Sequence, residues 1–240
     1  MLSECGIRAR RLESHPQCHA LTVEHGYTNR TEQRADVVRK TFQGPGADLR
    51  QHAEHRALST LRGLYPVPAV ASAGSGWLET EFVAAHHGQE LLDSGQAAAV
   101  LAECGRAVAR LHRLDPRLLD PSAPPTSVIQ HGDFGPNNVL FQPTTYEVAA
   151  VLDWEFSGVG DPISDVAWCE WIVRMHHPDV VSDLAEFFTA YGQQPPWAQR
   201  QHEMLRRCAW LEDFARRWDT QGAAVIVWRE RTAVVQDWRE

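Results

Sequence analysis

Lysine is almost missing from this 240-residue chain. Of its 23 basic residues 22 are arginine, and the single lysine is Lys40. A coding bias toward arginine accounts for the imbalance. An ammonium and a guanidinium are still not interchangeable where a point charge must fit a tight site, so the one lysine is a candidate functional residue. Long apolar runs are also missing. None approaches the ~18 residues of a membrane span, and MLSECGIRARRLESHPQ has no apolar run behind its basic residues, which reads against a signal peptide. The five cysteines (Cys5, Cys18, Cys104, Cys169, Cys208) are widely spaced with no C-x-x-C pair. That argues against a disulfide framework or a zinc ribbon, and for reduced thiols in the cytoplasm. Positive charge is in deficit, 23 basic against 31 acidic residues for a net charge of -8, so the footprint needed to track a nucleic acid is lacking. H-E-x-x-H, G-x-S-x-G and G-x-x-x-x-G-K-[ST] do not occur, and the glycine-rich GPGADLR at 44–50 has no lysine after it. Zincin, serine-hydrolase and P-loop chemistry are excluded on that basis.

What is present is ordinary globular composition, 43% hydrophobic and 22% charged, enough for one large domain or two small lobes. ALTVE, the turn-like HGYTN, the polar RTEQR and VVRKTF predict short strands over 20–42, with Val37 and Val38 leading into Lys40. From Asp48 to Leu64 the spacing of Ala53, Ala57, Leu58 and Leu61 predicts a helix. A hairpin is expected around the GSG turn at 74–76. The segment 85–95 reads as polar and irregular, and the lobe boundary is placed there. QAAAVLAECGRAVARLHRL predicts an amphipathic helix with Val100, Leu101, Cys104, Val108 and Leu111 on one stripe. Residues 164–240 read as mostly helical and hold seven of the nine tryptophans, expected mainly as helix-packing residues. The paired histidines His86-His87 and His176-His177 are expected in exposed or loop positions, not as metal ligands.

The densest chemical signal is His131-Gly132-Asp133-Phe134-Gly135-Pro136-Asn137-Asn138. An acid and an amide lie five residues apart on a loop that glycine and proline keep non-helical. Asp153 follows at the end of the apolar run VAAVL. Magnesium takes oxygen ligands, commonly one or two protein groups plus phosphate oxygens, and Asn138 with Asp153 supplies such a pair. That leaves Asp133 free to orient a hydroxyl and take its proton. His-Gly-Asp is also good turn chemistry, and Asp133 with Asn138 alone is compatible with a capped turn. The signal gains weight jointly with Lys40 and Glu54 upstream.

H-G-D-x-x-x-x-N followed by a strand ending in L-D-W-E resembles the aminoglycoside phosphotransferase and choline-kinase-like family, small-molecule kinases with the protein-kinase fold. Gly160-Asp161-Pro162-Ile163-Ser164-Asp165-Val166-Ala167 is similar to the family's G-D-P-x-x-D-x-A segment, and VVRK resembles the V-A-I-K of kinases. The likeness spans roughly residues 20–170. It implies an α+β, two-lobed fold: a small N-terminal antiparallel sheet with one helix (1–84, binding nucleotide) and a larger, mainly helical lobe (85–240, catalytic and acceptor-binding). It also implies Asp133 as the catalytic base, Asn138 and Asp153 as the Mg2+ ligands, and Lys40 on the nucleotide phosphates, paired with Glu54. Backbone near Glu81–Val83 would read the adenine edge. The turn holding Thr28 and Asn29 would cover the phosphates, although it has a single glycine instead of G-x-G-x-x-G. His131 and Asp165 are expected to support the catalytic loop. The implied reaction moves the γ-phosphate of ATP or GTP to a hydroxyl of a small acceptor, most readily of the aminoglycoside or antibiotic type. A metabolite kinase for choline, homoserine, thiamine or a sugar, and a catalytically silent nucleotide-binding protein, are the alternatives.

Charge is uneven: residues 1–84 carry a net +1, residues 85–159 a net -5 and residues 160–240 a net -4. An acidic second part slightly favours a cationic acceptor. No nucleic acid or membrane partner is expected, and the oligomeric state stays open.

Overall fold

The computed structural model describes residues 29–240; the expected ALTVE strand and the turn at Gly26–Thr28 lie outside the described residues. Strands β1 (Asn29–Arg34) and β2 (Val37–Phe42) form a hairpin. Helix α1 (Ala47–Leu61) follows, then β3 (Val70–Gly74) and β4 (Trp77–Glu81). The four strands make one antiparallel sheet in the order β1-β2-β4-β3. In it Lys40 lies opposite Thr31 on one side and Leu78 on the other. α1 is tied to the β3–β4 turn by Gln51, whose amide donates to Gly74 O (2.6 Å) and Trp77 O (2.8 Å) and accepts from Gly76 N (3.0 Å).

The buried stripe of α1 is Arg50, Glu54, Ala57, Leu58 and Leu61. It follows the helical repeat, but two of its members are charged. Residues four apart share a face, so Arg50 and Glu54 project together, one turn apart, from the face that also buries Leu58 and Leu61.

The segment 85–95, read as irregular, is ordered. His86–His87 form β5, paired with the distant β7 (Val139–Phe141), and Gly88–Asp93 form α2. β5 finds its partner more than 50 residues away, so no local pattern announces it. α3 (Ala97–His112) buries the stripe expected of it. Gly105 on this helix is a contact requirement: a Cβ there would fall 2.3 Å from Phe187 O, which lies on α5 (Leu184–Tyr191). β6 (Val128–Gln130) pairs with β9 (Gly158–Gly160), and β8 (Val148–Val151) completes a three-stranded sheet β5-β7-β8. α4 (Ile163–His176), α6 (Trp197–Arg216) and α7 (Ala223–Asp237) build the rest.

One core runs from Leu58 and Leu61 of α1 through α3 to Phe187 of α5. A second joins Trp168 and Trp171 of α4, Met204 and Cys208 of α6 and Val235 of α7. Each large side chain fully buried in these clusters contributes roughly 1.5–3 kcal/mol. The loop after α1 is pinned to the helical part by Tyr65 OH to Ala107 O (3.1 Å), Arg110 to Leu64 O (2.8 Å) and Val151 N to Pro66 O (2.7 Å). Of the two expected exposed histidine pairs one is corrected: His177 is buried and its Nδ1 lies 3.1 Å from Asp93 Oδ1. Cys104, Cys169 and Cys208 are buried free thiols. Among the described residues no helix is long and apolar enough to cross a membrane.

Candidate active site

Lys40 stands where the sheet, α1 and the loop after β8 meet. Its Nζ lies 2.6 Å from Glu54 Oε2, 2.5 Å from Asp153 Oδ1 and 3.8 Å from Glu155 Oε2. Burial alone would lower its pKa, but Asp153, Glu54 and Glu155 outweigh that and hold it above the ordinary value, so the ammonium stays charged. Burial pushes Glu54 up, with Lys40 pulling the other way. Burial also works to raise Asp153, and Lys40 overcomes it, keeping this carboxylate ionised. Asp153 sits at φ 64°, the left-handed region that a non-glycine residue rarely adopts. The turn brings its carboxylate back onto Lys40.

Glu155 carries a second pairing. Its Oε2 accepts from Arg50 Nη1 (2.6 Å) and Asn29 Nδ2 (2.8 Å), while Arg50 also donates to Asn29 Oδ1 (3.0 Å) and to the Gln43 carbonyl. Glu54, Asp153 and Glu155 offer oxygens within 4.8 Å of one another.

The catalytic-loop residues are held from beneath. Asp165 accepts from His131 N (2.9 Å) and Gly132 N (2.9 Å) and meets His112 Nε2 at 3.1 Å. Burial would raise its pKa, but the His112 hydrogen bond and these donors bring it below the usual carboxylate range. His131 is fully buried. Its Nε2 lies 2.8 Å from Leu152 O, and its Nδ1 accepts from Asp133 N at 3.2 Å, which defines one neutral tautomer. Gly132 has φ +81°, and a Cβ there would fall 2.2 Å from the Phe156 carbonyl oxygen. Only glycine lets the 131–138 and 153–157 loops lie this close.

Asp133 accepts from Trp168 Nε1 at 2.7 Å on one oxygen and from Asn138 Nδ2 at 3.0 Å on the other. Burial, then the neighbouring Asp153, pushes its pKa up to about 6, against Arg207, Trp168 and Asn138. Asn138 also donates to Asp133 O (2.8 Å), and its own carbonyl accepts from Leu152 N (2.8 Å), next to Asp153. Its amide nitrogen is thus occupied, and its side-chain oxygen is the atom suited to a hard cation. Asp153, with a 36% exposed side chain, supplies a second such oxygen. This all-oxygen donor set fits magnesium.

Not every expected residue joins this group. Thr28 lies outside the described residues. Asn29 is bound to Glu155 and Arg50 at the edge of the cluster. The Glu81 carboxylate pairs with Arg62 (3.1 Å) and Ala69 N (3.0 Å), away from Lys40. Glu81 N and Phe82 N donate to Ala69 O and Asp36 O, whereas among the described residues Val83 N has no such backbone partner. Sequence reasoning missed Arg50, His112 and Arg207, each an arginine or histidine on a helix, where the default reading is a solvated face. For Arg50 a signal existed, its four-residue spacing from Glu54.

A charged lysine held by a helix glutamate and a post-strand aspartate, with an Asp–Asn loop opposite, defines a kinase-type phosphotransferase with a protein-kinase-like fold. The model of the phosphotransferase enzyme family matches residues 19–126 and 117–202, and the chain belongs to that family. Solved structures share the fold. Aminoglycoside 2'-phosphotransferase-IIIa in complex with GDP superposes with a TM-score of 0.69 at 11% identity, covering 90% of this chain and 91% of that one. Macrolide 2'-phosphotransferase MphH from Brachybacterium faecium gives 0.61 at 19% identity, over 91% and 92%. Among curated proteins, acyl-CoA dehydrogenase family member 10 of Mus musculus is 52% identical over 42 residues, 18% of this chain and 4% of that protein. Family member 11 of Homo sapiens is 54% identical over 37 residues, 15% and 5%. The likeness thus spans only a small share of the length of these relatives.

Proposed function

We propose that this phosphotransferase moves the γ-phosphoryl group of ATP or GTP to a hydroxyl of a small acceptor with Mg2+. The observation that carries the reading is the convergence of Lys40, Glu54 and Asp153 within hydrogen-bonding distance, beside an Asp133 held by Trp168 and Asn138. Asp133 orients the acceptor hydroxyl and receives its proton as the new O–P bond forms. The bond from the γ-phosphorus to the bridging oxygen breaks, and the nucleoside diphosphate leaves. Lys40 offsets charge on the phosphates. When bound, magnesium supplies further charge neutralisation there, and Asn138 and Asp153 would hold it. Positioning and electrostatics account for the rate in this chemistry. Residues 1–84 form the nucleotide-binding lobe and residues 85–240 the catalytic one in this reading. The backbone at Val83 meets the adenine edge, and the segment at Thr28 and Asn29, leading into β1, covers the phosphates.

Two acceptor readings follow. The aminoglycoside and macrolide enzymes of the same fold support an antibiotic-type acceptor. An unpaired arginine beside Asp133 (Arg207) favours the metabolite alternative. The test is an NTP-consumption screen over hydroxyl-bearing antibiotics and metabolites, read by mass spectrometry for an added phosphate. Asp133→Ala should abolish transfer and retain nucleotide affinity, while Asp153→Ala should weaken magnesium-nucleotide binding itself. Near-normal turnover in Asp133→Ala would sink the base assignment.

A further inference from the structure

Five arginines on the helices after residue 160 are answered by carboxylates. Arg200 pairs with Glu170 and Glu240, Arg174 with Glu170, Arg206 with Glu203, and Arg216 and Arg229 with Glu212. Arg207, in the middle of α6, forms no ion pair with a carboxylate among the described residues. Its Nε and Nη2 are enclosed and make no hydrogen bond. Aromatic rings hold the guanidinium instead, with its centre 4.3 Å from the Trp210 ring centroid, 5.1 Å from Phe156 and 5.6 Å from Trp168. Stacking satisfies the flat faces of a guanidinium and leaves its N–H edge unanswered. A guanidinium with two enclosed and unbonded N–H groups is a costly arrangement that a bound oxyanion would relieve.

Its position gives the vacant valence a meaning. Trp168 carries Arg207 on its face and donates its indole N–H to Asp133. Arg207 is therefore one side chain from the proposed base, near enough to lower the pKa of Asp133 by its charge, yet not paired with it. Trp210 is the exposed wall of the cage, 39% accessible. The overall acidity of this part of the chain favours a cation, but the residue next to the reacting centre has the opposite preference, and proximity decides recognition.

Resting on the phosphotransferase reading above, we propose that the acceptor carries an oxyanion, a carboxylate or a phosphate ester, which the Arg207 guanidinium receives while the acceptor hydroxyl lies on Asp133. The enzyme then selects hydroxy acids or phosphorylated alcohols over amines of the same framework.

Matched acceptors test this: glycerate, glycerol 3-phosphate, glycerol and 3-amino-1,2-propanediol, then gluconate, sorbitol and glucamine, with kanamycin as a polycationic control. Each is offered with ATP and with GTP to wild type, Arg207→Met and Arg207→Lys. We expect product from the anionic members at a KM at least 10-fold below their neutral analogues. The carboxylate and phosphate arms show which oxyanion is taken. Arg207→Met should erase that preference while nucleotide KM stays unchanged, and Arg207→Lys should restore part of it. Turnover confined to neutral or amine acceptors, or an unchanged preference in Arg207→Met, would overturn the proposal. A second readout is independent of turnover. Acetate and inorganic phosphate, titrated with ADP and magnesium present, should alter the tryptophan fluorescence saturably in wild type and not in Arg207→Met. Identical titrations overturn the anion site. A difference between them without turnover of any acceptor keeps the site and removes the phosphotransfer reading.

Discussion

The ammonium of Lys40 is surrounded by three carboxylates and lies only 13% exposed. A guanidinium is wider and planar, and cannot meet Glu54 and Asp153 from one nitrogen in that space. Lys40→Arg keeps the charge and should still lose about 10²-fold or more in kcat/KM, the scale of loss expected when a reacting group is misplaced by ~1 Å; steady-state kinetics check this. His131 makes a prediction about pH. Burial holds its pKa below the ordinary value of about 6.5. Unfolded His131 therefore binds a proton that folded His131 refuses, and more protons are bound by the unfolded state as pH falls below about 6.5. Stability accordingly rises with pH through that window and falls on acidification. An NMR titration should find the His131 ring titrating below the ordinary imidazole value, and thermal unfolding should move down between pH 7 and pH 5. A His131 ring titrating at or above 6.5 would contradict the burial argument.

Elements reach the site through loops whose spacing a side chain on residue 132 would destroy. Gly132→Ala combines a left-handed φ, worth about 1–2 kcal/mol, with a Cβ only 2.2 Å from the Phe156 carbonyl. It should lower the urea midpoint and abolish turnover together, because the 153–157 loop must move with Asp153 on it. The same scale shows what was legible in advance. The GSG hairpin, the α1 and α3 helices and the HGD loop have local signatures: turn residues, a helical repeat, a dense polar cluster. β5 has none, since its two residues depend on Leu140 and Phe141 for pairing. The identities of Asp133, Asn138 and Asp153 stood out because acids and amides are unusual beside apolar runs. His112 and Arg207 did not, because a basic side chain on a helix looks the same in sequence whether it meets water or the interior, and Arg50 offered only its four-residue spacing from Glu54. Only tertiary packing separates Arg200, wholly buried against Glu170, from Arg206, exposed beside Glu203.

For the whole molecule, Arg50 and Glu155 matter most. Both are buried and 2.6 Å apart, one on α1 and the other in the loop after β8. Removing one partner of a buried pair leaves an uncompensated charge, at a cost of about 3–5 kcal/mol. Arg50→Ala should show a loss of that order in urea unfolding, and Arg50→Ala with Glu155→Ala should lose less than the two single effects added, by about 1–3 kcal/mol. Strict additivity would mean the pair does not couple the sheet to the helical part. Lys40 has a related consequence. Two of its three N–H donors are already taken by Glu54 and Asp153, with Glu155 3.8 Å away, so a polyphosphate enters in competition with carboxylates. Turning toward phosphate means loosening Asp153, whose charge is then stranded unless a divalent ion arrives alongside. The cleft is therefore built for synergy: nucleotide alone and cation alone should each be held feebly, and the two together far more tightly than their separate affinities would suggest.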